Sequence, residues 1–203
     1  MKFLNAFLTI CLFSTALLGD YIVFKSKYSN SFIFRAIADS TVHAGVGLFS
    51  SLLFFSRGQS ILSNTCIYNV ILCTIVSSLI DVDHFIVAKS INLKDLTNLK
   101  QRGIFHCTTF WVVLTALLLA LSRIFKHANA YTTTWMLIVA FTSHHIRDAN
   151  RRGLWCYPFG HTPPISTHVY VILLGTLPYL FSVMYNFMKP VLVEKPIDYT
   201  LLI

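Results

Sequence analysis

Residues 61–84, ILSNTCIYNVILCTIVSSLIDVDH, decide the fold, because a long apolar run closes on two acids and a histidine. An apolar run of about 20 residues, coiled as an α-helix, matches the hydrocarbon thickness of a bilayer. Its polar close then falls where the helix meets the headgroups. Asp81 and His84 stand three positions apart and share a helix face, whereas Asp83 points elsewhere unless the helix has already unwound there.

Working outward, comparable runs fall at Phe3 to Phe24, Ala36 to Phe55, Ile61 to Ile80, Ile104 to Phe125, Tyr131 to Ile146 and Ile165 to Phe187. Polar interruptions separate them at Lys25 to Arg35, at a tight turn Arg57 to Ser60 and at Lys89 to Arg102. The chain therefore reads as all-α, a multi-pass transmembrane bundle of about six helices in a single domain over residues 1–203. Composition agrees: 55% of residues are hydrophobic and 12% charged, against about 25% charged in a soluble domain. The first run lacks a small-x-small cleavage site and continues past Asp20, which reads as a retained helix rather than a leader.

The net charge of +8 comes from 16 Lys and Arg against 8 Asp and Glu, scattered between apolar runs. That placement suits contact with anionic membrane lipids and excludes the continuous basic stripe of a nucleic-acid binder. If the six helices alternate direction, ten of the bases lie on the side of Arg35, Arg102 and Arg152 and six on the other, which places the first side in the cytosol. The five cysteines form no C-x-x-C pair and read mostly as small apolar fillers.

Placed on this map, the acids and histidines gather at one membrane face. Asp39 and His43 begin helix two, Asp81, Asp83 and His84 end helix three, His106 begins helix four, and His144, His145 and Asp148 end helix five. Of eight histidines only His127 falls on the other side. Burying such groups costs several kcal/mol each unless they are paired or ligated. Asp39 with His43, and His144 with Asp148, are i, i+4 pairs that point inward together. Imidazole nitrogen with carboxylate oxygen suits a divalent metal, Zn or Mn first, and such a centre activates water. Arg102, Arg147, Arg151 and Arg152 nearby favour an anionic substrate.

These residues also carry a resemblance. The strings Arg35-Ala36 through Asp39 to His43, Ile80-Asp81-Val82-Asp83-His84-Phe85, Phe105-His106-Cys107, Thr142-Ser143-His144-His145-Ile146-Arg147-Asp148, Gly153-Leu154-Trp155 and Pro158-Phe159-Gly160 closely resemble the animal transmembrane protein 267 family. More distantly the chain looks like the bacterial YdjM-like inner-membrane proteins, a family assigned as metal-dependent hydrolases. Their pattern is an early-helix histidine, Asp-x-Asp, His-Arg-Gly-x-x-His, and His-x-x-x-Asp before a glycine and proline. It falls here on His43, on Asp81 and Asp83, on Arg102-Gly103 with His106, and on His144 with Asp148. Gln101 departs from it, standing where the pattern has its first histidine.

The expected function is that of a membrane-embedded, metal-dependent hydrolase acting on a phosphorylated or lipid-like substrate at headgroup level. His43, Asp83, His106 and His144 are the expected metal ligands, Asp81 and Asp148 further ligands or orienters, and Arg102 the group that holds an anion. Two other readings share the same residues. One is a non-catalytic protein with a structural metal or polar His/Asp network, and the other a proton-coupled transporter, which fits poorly with a cluster at one face and no internal repeat.

Overall fold

The structure is a computed structural model describing residues 2–57, 63–96, 99 and 101–189; most of the turn expected at Arg57 to Ser60 lies outside these residues. Six helices follow in order: α1 (Lys2–Lys25), α2 (Phe32–Phe55), α3 (Asn64–Ala88), α4 (Thr108–Ile124), α5 (Ala128–Arg152) and α6 (Thr167–Met188). Each predicted apolar run has its helix. Three starts are set by serine: the side chains of Ser31, Ser63 and Ser166 accept the backbone N–H groups of Phe34, Cys66 and Val169, satisfying donors that a helix leaves free at its first turn.

Helices α1, α2, α3 and α6 are long and apolar enough to cross a membrane, and α4 is a shorter apolar helix. Many of their large apolar side chains face outward, as lipid as solvent requires: Ile10, Ile37, Ile71, Val113 and Ile172 are all more than half exposed. Helix α5 differs. It packs against α2, α3, α4 and α6, and it buries Ser143, His144, His145, Arg147 and Asp148. Its polar residues are tolerated because protein, not lipid, surrounds them.

Two local features aim side chains at one end of the bundle. At Gly47, α2 approaches α3 so closely that a Cβ would lie 2.6 Å from that of Ser77. Small residues allow such contacts between spanning helices. Beside it, the Ser77 hydroxyl donates to the His43 carbonyl at 2.9 Å. Second, α3 does not stop at Ile80: it tightens into a 3₁₀ turn over Ile80–Val82 and resumes through Ala88. That tighter winding changes the phase of Asp81 and Asp83 around the helix axis. Beyond α5, a two-stranded hairpin pairs Trp155–Cys156 with Gly160–His161. Its tip leaves Tyr157 and Phe159 exposed, in keeping with an aromatic interfacial belt.

A candidate metal centre

Four atoms converge from three segments: Nε2 of His106 in the turn before α4, Nε2 of His144 and Oδ2 of Asp148 on α5, and Oδ1 of Asp81 on α3. Their separations are 3.4 Å between the two imidazoles, 3.3 and 3.5 Å from His106 to Asp81 and Asp148, and 3.7 and 3.9 Å from His144 to the same two. Donors around one tetrahedral ion with bonds of about 2.1 Å would stand roughly 3.4 Å apart. Relaxed N–H···O hydrogen bonds are shorter, about 2.9 Å. These five separations are therefore nearer the edges of a coordination polyhedron than the length of relaxed hydrogen bonds.

The reverse sides of both imidazoles are fastened. His144 Nδ1 lies 2.8 Å from the Ser77 carbonyl, which can only accept, so Nδ1 carries a proton. His106 Nδ1 lies 3.0 and 3.1 Å from the two oxygens of Asp83. This is the outer hydrogen bonding that orients metal-binding histidines. Burial works against charge on His106, but hydrogen bonds to Asp148, Asp81 and Asp83 outweigh it and push its pKa up to about 11.

His43 is fully buried, and neither ring nitrogen has a hydrogen-bond partner among the described residues. Its Nε2 faces the remaining oxygens of the same carboxylates, 3.7 Å from Asp81 Oδ2 and 3.6 Å from Asp148 Oδ1. His43, Asp81, His144 and Asp148 form one group whose ligand atoms lie close enough together to hold an ion, and Asp81, His84 and His106 form a second. The His43 and His144 rings stack, with centroids 3.7 Å apart and planes 18° from parallel. One of them has to turn before both in-plane lone pairs can meet a common ion.

The expected site residues are distributed unevenly around this point. His43, His106, His144, Asp81 and Asp148 come together. Asp83 lies behind His106, on the Nδ1 side, where it also accepts the Phe105 N–H at 3.0 Å. Gly103 permits this, since a Cβ there would collide with the Asp83 carboxylate. Arg102 spends two guanidinium nitrogens on the carbonyls of Gly153 and Arg152, both at 2.9 Å, and so caps the C-terminus of α5. Asp39 does not pair with His43 although the two share a face: it lies 2.7 Å from Arg147.

Arg147 joins a second buried cluster that the sequence reading missed. Its guanidinium reaches Asp20 on α1 at 2.8 Å as well as Asp39 on α2, and the Tyr170 hydroxyl on α6 donates to Asp20 at 3.2 Å. It is therefore committed inside the bundle and not available to a substrate. The available signal was helical spacing, because Arg147 lies three positions after the inward-facing His144. His145 also turns away from the centre: its Nε2 donates to the Phe105 carbonyl at 2.9 Å, and Trp111 Nε1 donates to the same oxygen at 2.7 Å.

The profile of the family described as YdjM inner membrane protein matches residues 39–197, a span that holds every residue of the centre. Transmembrane protein 267 of Danio rerio is 37% identical over 188 residues, covering 89% of this chain and 83% of that protein. The proteins of the same name from Xenopus laevis and Bos taurus are each 37% identical, covering 73% and 74% of this chain and 67% and 69% of theirs. No solved structure matches.

Proposed function

This chain belongs to the YdjM inner membrane protein family and is similar over 89% of its length to transmembrane protein 267 of Danio rerio; from that premise we propose that it is a metal-dependent hydrolase of the membrane face. Its cluster holds one divalent ion, Zn or Mn. His106, His144, Asp81 and Asp148 supply the ligand atoms, His43 is available as a fifth once its ring leaves the stack, and Asp83 orients His106. The substrate is a phosphorylated or lipid-like molecule at headgroup level, and the face is the cytosolic one.

The observation that carries this reading is the spacing of the His106 and His144 Nε2 atoms from each other and from both carboxylates, together with the fixed reverse sides of both imidazoles. With neutral imidazoles the two carboxylates leave a formal charge of −2, which a divalent cation balances. Such an ion would lower the pKa of water and polarise a phosphoryl oxygen. The chain's own groups provide the rest: Ser77 and Asp83 keep the ring nitrogens aimed, and α5, buried in protein, keeps the pocket from collapsing.

A polar network without metal is the competing reading. It leaves unexplained why His43 Nδ1 is buried without a hydrogen-bond partner among the described residues, since such an omission costs about 1–3 kcal/mol. Elemental analysis of protein purified without chelators, beside His106→Ala and His144→Ala, tests the proposal. Stoichiometric metal in the parent and its loss in both variants is expected, followed by hydrolysis of phospholipids or soluble phosphates. A metal-free parent rejects the ligand assignment.

A further inference from the structure

Beside the centre lies a cleft of about 460 Å³, within the several-hundred Å³ typical of small-molecule sites. His84, Gln101, Arg102, Arg152, Trp155 and His161 line it, and Leu96 and Leu99 add an apolar strip. His84 joins the two regions, since it borders the cleft while its Nδ1 lies 3.5 Å from Asp81 Oδ1. We infer that this cleft is the subsite for the phosphate group of the substrate, with Arg152 as its ion-pairing guanidinium and Leu96, Leu99 and Trp155 facing the organic part.

Charge carries the argument. Two arginines line the cleft, and no acidic side chain does so among the described residues. Arg151 stands close by, and the carboxylate it reaches is Asp148, at 3.0 Å, which already belongs to the metal centre. Arg102 is bonded to neutral carbonyl oxygens, and among the described residues no carboxylate forms an ion pair with it although it is partly buried. Burial lowers its pKa, and the positive Arg152 and Arg151 act in the same direction against Asp148. The grip of Arg102 on the carbonyls of residues 152 and 153 also fixes the backbone from which Arg152 projects. Arg152 itself is exposed and has no ion-pair partner among the described residues, which leaves its planar fork free for phosphate oxygens.

This subsite rests on the hydrolase reading for its purpose, but its binding can be measured apart from it. Inorganic phosphate, phenyl phosphate and dihexanoyl phosphatidic acid are titrated calorimetrically into the full chain in phosphatidylcholine nanodiscs. Arg152→Gln should weaken phosphate binding about tenfold, the loss of one charge-assisted pair, with metal content unchanged. Tighter binding of the phosphatidic acid than of phenyl phosphate identifies a lipid headgroup, and the reverse order a soluble ester; either supports the subsite. Equal binding by parent and Arg152→Gln overturns it, as does loss of binding in His144→Ala with full retention in Arg152→Gln, which would assign the anion to the metal alone. Should the parent bind phosphate through Arg152 yet contain no metal, the hydrolase proposal falls while the binding site remains.

Discussion

Helix α2 carries Asp39 and His43 in its first half and Phe54 and Phe55 at its end, and α5 carries Tyr131 and Trp135 in its first half and His144, Arg147 and Asp148 in its second. Because the two run side by side in opposite senses, one end of the bundle is ionic and the other aromatic. At the aromatic end Phe54, Phe55, Tyr131, Trp135 and Tyr185 pack with ring centroids about 5 to 6.4 Å apart, and the Tyr131 hydroxyl donates to the Tyr185 carbonyl at 2.9 Å. The Tyr185 hydroxyl pairs with that of Thr132 at 3.1 Å, while Trp135 Nε1 is buried without a hydrogen-bond partner among the described residues. The ionic end has the opposite economy: guanidinium, imidazoles and carboxylates leave water, and each depends on its neighbours to remain tolerable. Dispersion contacts are dense at the aromatic end, and desolvated charges are held at fixed separations at the ionic one.

Four substitutions test that division, each read by metal content and by unfolding in detergent. His144→Ala should produce the largest change, a fall in metal affinity of more than about a hundredfold, beyond the loss expected for an outer partner. The aromatic end should keep its near-ultraviolet circular dichroism signal in that variant. Arg147→Met leaves Asp20 and Asp39 facing each other without their cation and should lower stability by about 3 kcal/mol. Neutralising both acids as well, with Asp20→Asn and Asp39→Asn, should recover most of this, and no recovery would mean that the cluster acts through packing alone. Trp135→Ala should cost about 2–3 kcal/mol through its cavity and leave metal content unaltered; metal loss there would show that the two ends are not separable. Asp83→Asn, the smallest effect, should weaken metal binding about tenfold with little change in stability.

Much of this organisation was legible in hydropathy, because lipid imposes one demand on all outward-facing positions. The six helices and the convergence of His43, Asp81, His106, His144 and Asp148 follow from run length and spacing. Hydropathy ends the fifth run at Ile146, yet α5 continues to Arg152. Hydropathy registers what lipid would reject and has no knowledge of an interior partner, and here His144, Arg147, Asp148 and Arg151 each find one in Ser77, Asp20, the imidazoles and the Phe24 ring. The position of Asp83 behind His106 depends on the 3₁₀ turn and on the absence of a side chain at Gly103, neither of which periodicity encodes. Arg102 was legible as a cation near the centre but not as a helix cap, since capping depends on where a distant carbonyl happens to lie.

The Phe105 carbonyl receives both Trp111 and His145, one donor from α4 and one from α5. A segment tied down twice is fault-tolerant: a substitution that removes either donor leaves His106 moored by the other. Harmless drift at Trp111 or His145 taken singly, and failure only when both change together, is the evolutionary signature such redundancy would leave.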